Sequence, residues 1–284
     1  MEIKKIGVLG AGTMGAGIAQ VSVEAGYSVV LIDVVPEIVE KAINGLNKSW
    51  AKAVEKGKVT TEAVANYKAL LVSSTDINDF KDVDIVIEAI IENIDIKKKV
   101  QKQLSEICKA DAILATNTSA LSITEIAAAT NRPDRVLGMH FFNPVVVMKL
   151  VEVIPGVVTT DEVVQTVLEL SKKIGKEPVL AKESPGFIVN RILVPYINEA
   201  ANVFQEGIAS AEEIDKAMKL GAGMPMGPLA LADLVGIDII LAVCEFFLKE
   251  FGDSKYRPSL AFRQKVRAGH LGKKTGKGFY DYSK

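Results

Sequence analysis

A histidine and a glutamate twelve residues apart are the pair best suited to chemistry in this sequence of 284 residues. His140 is one of only two histidines, and it lies among apolar residues. Glu152 follows in a second apolar run, which we expect to form a strand facing the first. A neutral imidazole held by a carboxylate can act as a general base near pH 7. The same pattern also fits a histidine packed in a core, so the surrounding elements must decide.

The elements that could position this pair begin with a glycine-rich turn, Gly-Ala-Gly-Thr-Met-Gly at residues 10–15. It follows an apolar strand and opens a helix, which is the context of a dinucleotide-binding turn. Gly10 would permit the tight turn, Gly12 would let backbone amides approach a pyrophosphate, and Gly15 would let helix and strand pack closely. We therefore predict that Thr13 and Met14 also contact the cofactor. The alternative is a glycine turn of another α/β protein.

An acid ends the next predicted strand, at residues 28–32. Asp33 is placed to accept hydrogen bonds from the ribose hydroxyls of an adenosine. A carboxylate there repels a 2′-phosphate, and the residues at 34–36 include no arginine that could bind one. The sequence therefore predicts NAD rather than NADP.

Further apolar runs at 70–74, 83–89 and 112–116 predict buried parallel strands. Ligands of open α/β sheets bind at the carboxyl ends of the strands. Four polar residues near these ends are therefore candidates for cofactor or substrate contact, although ordinary loop roles would also place them there: Glu92, Lys97, Asn117 and Ser119.

The segment from Pro36 to about Leu70 is predicted to be helical and is long for one crossover. Ser49, Lys52 and Lys56 recur at helical spacing and would share one face. Such a face could bind a phosphorylated ligand tail. A solvated lysine face is the equally supported alternative.

Two domains are expected. Residues 1–184 would form an NAD-binding Rossmann-type domain with a helical insertion, in which strands at 136–140 and 147–154 are neighbours. The remaining 185–284 would form a smaller all-α domain. Its predicted helices lie at 187–206, 210–220, 227–251 and 259–268.

The first of these helices is apolar on more than one face, which favours a subunit interface and a homodimer. Asn190 and Arg191 lie near its start, where capping and packing are the alternative to a functional role.

Composition excludes several classes of partner. The net charge of -1, without a long basic run, does not favour nucleic acid or a membrane surface. The apolar run at 229–251 is interrupted by Asp233, Asp238 and Glu245 at the depth where charge costs most, so we predict a buried helix rather than a membrane span. Cys108 and Cys244 match no metal or redox spacing, and we predict reduced core thiols, no metal and a cytoplasmic location. Because a strand is predicted to begin at residue 3, we expect no cleavable signal.

Several motifs together resemble one family, the L-3-hydroxyacyl-CoA dehydrogenases, and within it the bacterial 3-hydroxybutyryl-CoA dehydrogenases. Besides the glycine turn, the matching segments are Asn-Thr-Ser at 117–119, His-Phe-Phe-Asn-Pro at 140–144, Met-Lys-Leu-Val-Glu-Val at 148–153, Pro-Gly-Phe-Ile-Val-Asn-Arg at 185–191, Pro-Met-Gly-Pro at 225–228 and Lys-Thr-Gly-Lys-Gly-Phe-Tyr at 274–280. They cover essentially the whole chain.

The resemblance implies NAD-dependent oxidation of (S)-3-hydroxybutyryl-CoA, with His140 as general base and Glu152 stabilising its imidazolium. It implies that Ser119 and Asn190 position the substrate oxygen. It extends the cofactor contacts to Asn143 and Lys274, beside Gly10, Gly12, Gly15, Asp33, Glu92 and Lys97. It also implies that the face of Ser49, Lys52 and Lys56 contacts coenzyme A.

Three positions depart from the pattern expected of bacterial relatives: Ala120, residues 221–224, and His270. None removes a named catalytic residue, and His270 is predicted to be structural. Two other functions stay open at this point: a dehydrogenase of a free hydroxy acid or sugar acid, and a non-catalytic relative on the same fold.

Overall fold

The computed structural model describes residues 1–283, which divide into two compact units. The first unit spans Met1–Phe187 and contains a single eight-stranded sheet with helices. The second begins at Ile188 and is helical. The predicted fold class, an α/β Rossmann-type unit followed by a smaller all-α unit, is confirmed.

The sheet of the first unit is parallel except at one pair of strands. Its strands are β1 (Lys5–Leu9), β2 (Ser28–Ile32), β3 (Leu71–Ser74), β4 (Ile85–Glu88), β5 (Ile113–Thr116), β6 (Val136–Phe141), β7 (Leu150–Pro155) and β8 (Glu177–Leu180). They lie in the order β3-β2-β1-β4-β5-β6-β7-β8, and only β6 and β7 pair antiparallel. This exception confirms the predicted hairpin partner of the strand that carries His140.

Six helices connect the strands: α1 (Thr13–Glu24), α2 (Pro36–Glu55), α3 (Thr61–Leu70), α4 (Ile94–Ile107), α5 (Ile123–Ala128) and α6 (Asp161–Lys173). Every residue of β4, β5 and β6 is buried. Burial on both faces explains why these strands are continuous runs of β-branched and apolar residues rather than alternating ones.

Helix α1 packs directly onto the turn that precedes it. Gly10 has a φ of +100°, which side-chain-bearing residues rarely adopt, and a Cβ on Gly15 would lie 1.7 Å from the Gly10 carbonyl oxygen. The predicted roles of these two glycines in turning and close packing are confirmed.

The helical stretch predicted from Pro36 to about Leu70 forms two helices, α2 and α3. Lys56 is the C-cap of α2, and Gly57 follows with a φ of +64°. Thr60 then caps α3 by accepting a hydrogen bond from the Ala63 amide at 3.1 Å. The chain therefore turns sharply at 57–60.

Over residues 188–283 the second unit contains five α-helices: α7 (Val189–Gln205), α8 (Ala211–Gly221), α9 (Pro228–Val235), α10 (Ile237–Phe251) and α11 (Leu260–Arg267). The single helix predicted at 227–251 is wrong, because the chain breaks at Gly236, where φ is +111°. The break lets the Ile237 amide donate to the Leu271 carbonyl at 3.2 Å instead of continuing the helix. No helix within residues 1–283 is long and apolar enough to cross a membrane.

We expect Gly15→Ala to lower the free energy of unfolding by about 1–3 kcal/mol or more, because the new Cβ collides with backbone rather than with a movable side chain. Urea denaturation measures the change. Gly45→Ala within α2 is the matched control: its Cβ meets nothing within 4 Å, so it should stabilise by about 0.5–1 kcal/mol. Equal effects of the two changes would contradict the close packing.

Candidate active site

The turn between β1 and α1 offers backbone amides to an anion. Gly12 is the N-cap of α1, and a Cβ added there would meet no protein atom within 4 Å. The helix N-terminus favours negative charge, so a pyrophosphate fits this turn. Thr13 and Met14 are the first two residues of the helix. With Gly12, Thr13 lines a cavity of about 530 Å³ that Asn143 also borders.

Asp33 lies directly after β2 and braces this turn. Its carboxylate accepts hydrogen bonds from the Ala11 amide at 2.8 Å and from the Val35 amide at 3.1 Å. Asp33 also lines a second cavity, of about 650 Å³, whose only charged residues among those described are Asp33 and Asp76. A cavity wall with two acids and no cation suits ribose hydroxyls and opposes a 2′-phosphate.

A buried ion pair joins the carboxyl end of β4 to α4. The Lys97 ammonium is 2.6 Å from Glu88 and 3.6 Å from Glu92, and neither the Lys97 nor the Glu88 side chain has any solvent exposure. Glu88 also accepts hydrogen bonds from the Ile90 amide at 2.9 Å and the Thr116 hydroxyl at 2.8 Å. The predicted contact of Lys97 with the cofactor stays a prediction, and its observed partners are the two glutamates.

Glu92 connects this ion pair to Ser119. One carboxylate oxygen of Glu92 accepts hydrogen bonds from the Ser119 amide at 2.8 Å, the Ser119 hydroxyl at 3.1 Å and the Thr118 hydroxyl at 2.6 Å. Asn117 uses its side-chain oxygen to accept from the Phe141 amide at 2.8 Å, next to His140. Of the four polar residues predicted at the strand ends, Glu92, Lys97 and Ser119 therefore form one connected set, whereas the side chain of Asn117 contacts the strand that carries His140.

His140 and Glu152 face each other across the antiparallel pair of strands. They are register partners, and His140 Nδ1 lies 2.7 Å from a Glu152 carboxylate oxygen. Both side chains are buried, with the rings of Phe142 and Phe187 at 4.4 and 5.7 Å from the imidazole. Because a carboxylate only accepts, Nδ1 carries a proton, and a neutral imidazole then has its lone pair on Nε2. This arrangement can accept a proton from an alcohol.

The residues predicted to bind a phosphorylated tail lie on the exposed face of α2. Ser49 and Lys52 are exposed within the helix, and Lys56 is exposed at its C-cap. The Ser49 hydroxyl accepts a 3.4 Å hydrogen bond from Gln20, which lines the cavity shared by Gly12 and Asn143. This face is accessible to solvent, as it must be both for binding a phosphorylated tail and for a simply solvated lysine face.

The remaining predicted residues belong to the second unit. Asn190 is the second residue of α7. Its neighbour Arg191 stacks on Phe251, with the guanidinium carbon 3.6 Å from the ring centroid, so packing accounts for Arg191. Lys274 forms an ion pair with Asp238 at 2.6 Å.

Sequence reasoning missed Glu88, Thr116 and Thr118. The signal was present for Glu88, since it is a carboxylate at the carboxyl end of an otherwise apolar parallel strand. The hydroxyl side chains gave no such signal, because serine and threonine at strand ends are common in turns. Within residues 1–283, no group of three or more His, Cys, Asp or Glu side chains is arranged to hold a metal ion.

Comparison with known proteins agrees with these features. Residues 5–184 match the family described as 3-hydroxyacyl-CoA dehydrogenase, NAD binding domain, and residues 186–282 match its C-terminal domain. A 3-hydroxybutyryl-CoA dehydrogenase of Clostridioides difficile is 53% identical over 280 residues, covering 99% of this chain and 100% of that protein. The mitochondrial hydroxyacyl-coenzyme A dehydrogenase of Homo sapiens is 43% identical, covering 99% of this chain and 91% of that protein.

A crystal structure of an (S)-3-hydroxybutyryl-CoA dehydrogenase from Ralstonia eutropha superposes with a TM-score of 0.97 at 50% identity. The match covers 100% of both chains. The chain is thus similar to these proteins over their length and not only at the glycine turn.

Glu88→Gln is expected to lower the free energy of unfolding by about 3–5 kcal/mol, because it leaves the buried Lys97 ammonium without its nearest countercharge. Chemical denaturation monitored by circular dichroism measures this loss. Glu125→Gln is the matched control, since Glu125 pairs at 2.8 Å with Lys98 on the exposed side of the same helix. Its effect should be too small to resolve. Similar losses of stability in both variants would contradict the prediction that breaking the buried Lys97–Glu88 pair costs more than breaking the exposed Lys98–Glu125 pair.

Proposed function

The chain belongs to the 3-hydroxyacyl-CoA dehydrogenase family of NAD-binding oxidoreductases, as its motifs predicted, and we propose that it oxidises (S)-3-hydroxybutyryl-CoA reversibly to acetoacetyl-CoA. The observation that carries this proposal is the buried His140–Glu152 pair at the carboxyl end of β6, in the same sheet whose first turn suits a dinucleotide. The acyl-CoA substrate is preferred to a free hydroxy acid because the chain is similar over its whole length to 3-hydroxybutyryl-CoA dehydrogenases.

In the proposed reaction, His140 Nε2 accepts the proton of the 3-hydroxyl while the C–H bond at the same carbon breaks and a C=O bond forms. When bound, NAD would supply the ring that accepts the hydride. Glu152 keeps the imidazole in one orientation and stabilises the imidazolium, as buried carboxylates do beside catalytic histidines. In the reverse direction the imidazolium returns its proton to the alkoxide.

We assign Ser119 and Asn190 to orienting the substrate oxygen. The assignment of Ser119 is supported by its fixed position. Its amide and its hydroxyl both donate to Glu92, and Glu92 pairs with Lys97. A hydroxyl that loses little freedom on binding positions an oxygen at low entropic cost.

The cofactor is proposed to lie along the glycine turn. Gly10, Gly12, Thr13, Met14 and Gly15 would hold the pyrophosphate, and Asp33 the adenosine ribose. Toward the nicotinamide the proposed contacts are Glu92, Lys97, Asn117, Asn143 and Lys274. The open space over Gly12 supports a pyrophosphate at this turn, and the acidic cavity wall at Asp33 supports NAD over NADP.

Residues Ser49, Lys52 and Lys56 are proposed to contact the phosphates of coenzyme A. They are accessible on α2 and at its C-cap, and the two cations, four residues apart, form a patch that an anionic tail can use.

A homodimer through the C-terminal helices also belongs to this proposal. Ile192 on α7 is 68% exposed and Ile239 on α10 is 48% exposed, and such side chains gain by being covered. The molecular mass of the protein in solution, measured by light scattering, tests the proposed homodimer.

A domain division at 184/185 and a cytoplasmic location remain predictions. Both cysteines are buried, and burial raises the pKa of Cys108 to about 11 and of Cys244 to about 12, which suits inert thiols.

The purified protein should oxidise NADH in the presence of acetoacetyl-CoA, followed by the loss of NADH absorbance. His140→Ala should lower turnover by about 10²–10⁴, because the proton donor and acceptor is lost. His270→Ala, which removes the other histidine, should retain activity. No NADH oxidation by the wild type, or full turnover of His140→Ala, would refute the proposed function.

Lys56→Ala should raise the Michaelis constant for acetoacetyl-CoA about tenfold, the equivalent of one lost phosphate contact of about 1.4 kcal/mol. The Michaelis constant for NADH should not change. Lys68→Ala, an exposed lysine on α3, is the control and should leave both constants unchanged. In an enzyme of free hydroxy acids neither substitution would change the Michaelis constant of the substrate. That result would contradict the proposed contact of Ser49, Lys52 and Lys56 with coenzyme A.

A further inference from the structure

One buried cation takes no part in the proposed chemistry. Lys176 follows Gly175 in the turn between α6 and β8, and its residue is only 7% exposed. Its ammonium donates hydrogen bonds to two backbone carbonyls, those of Val145 and of Met148, the latter at 3.0 Å. Lys176 forms no ion pair with the described residues.

Both carbonyls belong to the segment 142–149, which joins β6 to β7; we call it the hairpin loop. The loop starts two residues after His140 and contains Asn143. Inside it, the amides of Val147 and Met148 both donate to the Pro144 carbonyl, at 3.0 and 2.9 Å. The Lys176 ammonium therefore holds the two sides of a compact turn.

The opposite side of the hairpin loop rests on α1. Val145 is buried, and a Cβ on Gly17 would lie 2.8 Å from the Val145 Cβ. The absence of a side chain at Gly17 is what allows this approach. The loop is therefore fixed between a glycine of the helix that opens the dinucleotide turn and a lysine from the far end of the sheet.

Burying a lysine ammonium at position 176 is energetically unfavourable. Burial lowers the pKa of Lys176, and the negative charge of Glu24 opposes that lowering. An apolar side chain of similar length would fill the space without taking an ammonium out of water. Fixing two carbonyls at once, however, needs a donor with more than one proton, which an ammonium supplies.

We propose that Lys176 is a positioning residue for the coenzyme: by fixing the hairpin loop, it holds Asn143 beside the start of α1 and so determines affinity for the nicotinamide half. The loop residues Asn143, Pro144 and Val145 line the cavity of about 530 Å³ together with Gly12 and Thr13. Lys176 itself does not line this cavity. The proposal rests on the proposed use of NAD and on the proposed contact of Asn143.

Lys176→Met separates this role from general stability. The dissociation constant of NADH, measured by fluorescence titration, should rise about tenfold, equivalent to the loss of one well-placed contact. The dissociation constant of ADP-ribose, which lacks the nicotinamide and is measured by calorimetry, should stay within about twofold, because the adenosine cavity at Asp33 contains no residue of the hairpin loop.

Two further variants keep the test decisive. Lys173→Met removes an exposed lysine three residues earlier and should change neither constant. Gly17→Ala displaces the hairpin loop from its other side and should reproduce the selective loss of NADH affinity, even where Lys176→Met does not fold. Unchanged NADH binding in both loop variants, or equal weakening of NADH and ADP-ribose, would overturn the proposal. A wild type that binds NADH but does not reduce acetoacetyl-CoA would refute the proposed function and leave this inference standing.

Discussion

Charged groups buried at the carboxyl edge of the sheet must each be compensated, because an unpaired charge in a protein interior costs several kcal/mol. Glu88 meets this requirement with Lys97, the Thr116 hydroxyl and the Ile90 amide. The ends of two neighbouring strands and the start of α4 are thereby held in one arrangement. Glu92 extends this arrangement to Ser119, so a residue proposed to orient substrate is linked through Glu92, whose side chain is 39% exposed, to the fully buried pair of Lys97 and Glu88.

The single antiparallel pair in the sheet has a direct chemical consequence. Parallel neighbours need a crossover of a dozen or more residues, whereas antiparallel neighbours can be joined by a short loop. The reversal at the hairpin loop brings Glu152 opposite His140 only twelve residues later, in register and 2.7 Å apart. The same reversal creates the loop that carries Asn143 between α1 and Lys176. The proposed base, the carboxylate proposed to orient it and the loop proposed to face the cofactor thus all follow from one change of strand direction.

Buried acids also organise the second unit. Asp233, only 1% exposed, accepts hydrogen bonds from the amides of Phe279 and Tyr280 at 2.8 and 2.9 Å. Asp215 accepts from the Tyr280 hydroxyl at 2.7 Å, and burial followed by this hydrogen bond raises the pKa of that tyrosine. The C-terminal segment is therefore fixed on α8 and α9, and with it Lys274, which pairs with Asp238. A glycine at 278 is required there, because a Cβ would lie 2.0 Å from an Asp233 oxygen.

Features that depend on local backbone chemistry could be predicted from the sequence. The glycine turn, the acid after β2, the buried strands and the His140–Glu152 register each follow from residue type and short-range spacing, and the motifs were sufficient to identify the family. Contacts between distant segments were decided only by the tertiary structure. Lys97 turned inward to Glu88, the helix predicted at 227–251 broke at Gly236 to bond with Leu271, and Lys176 reached back to the hairpin loop. A lysine or a glycine has the same local signature whether exposed or buried, and only the packing of segments far apart in sequence determines which partner satisfies its charge or fills its space.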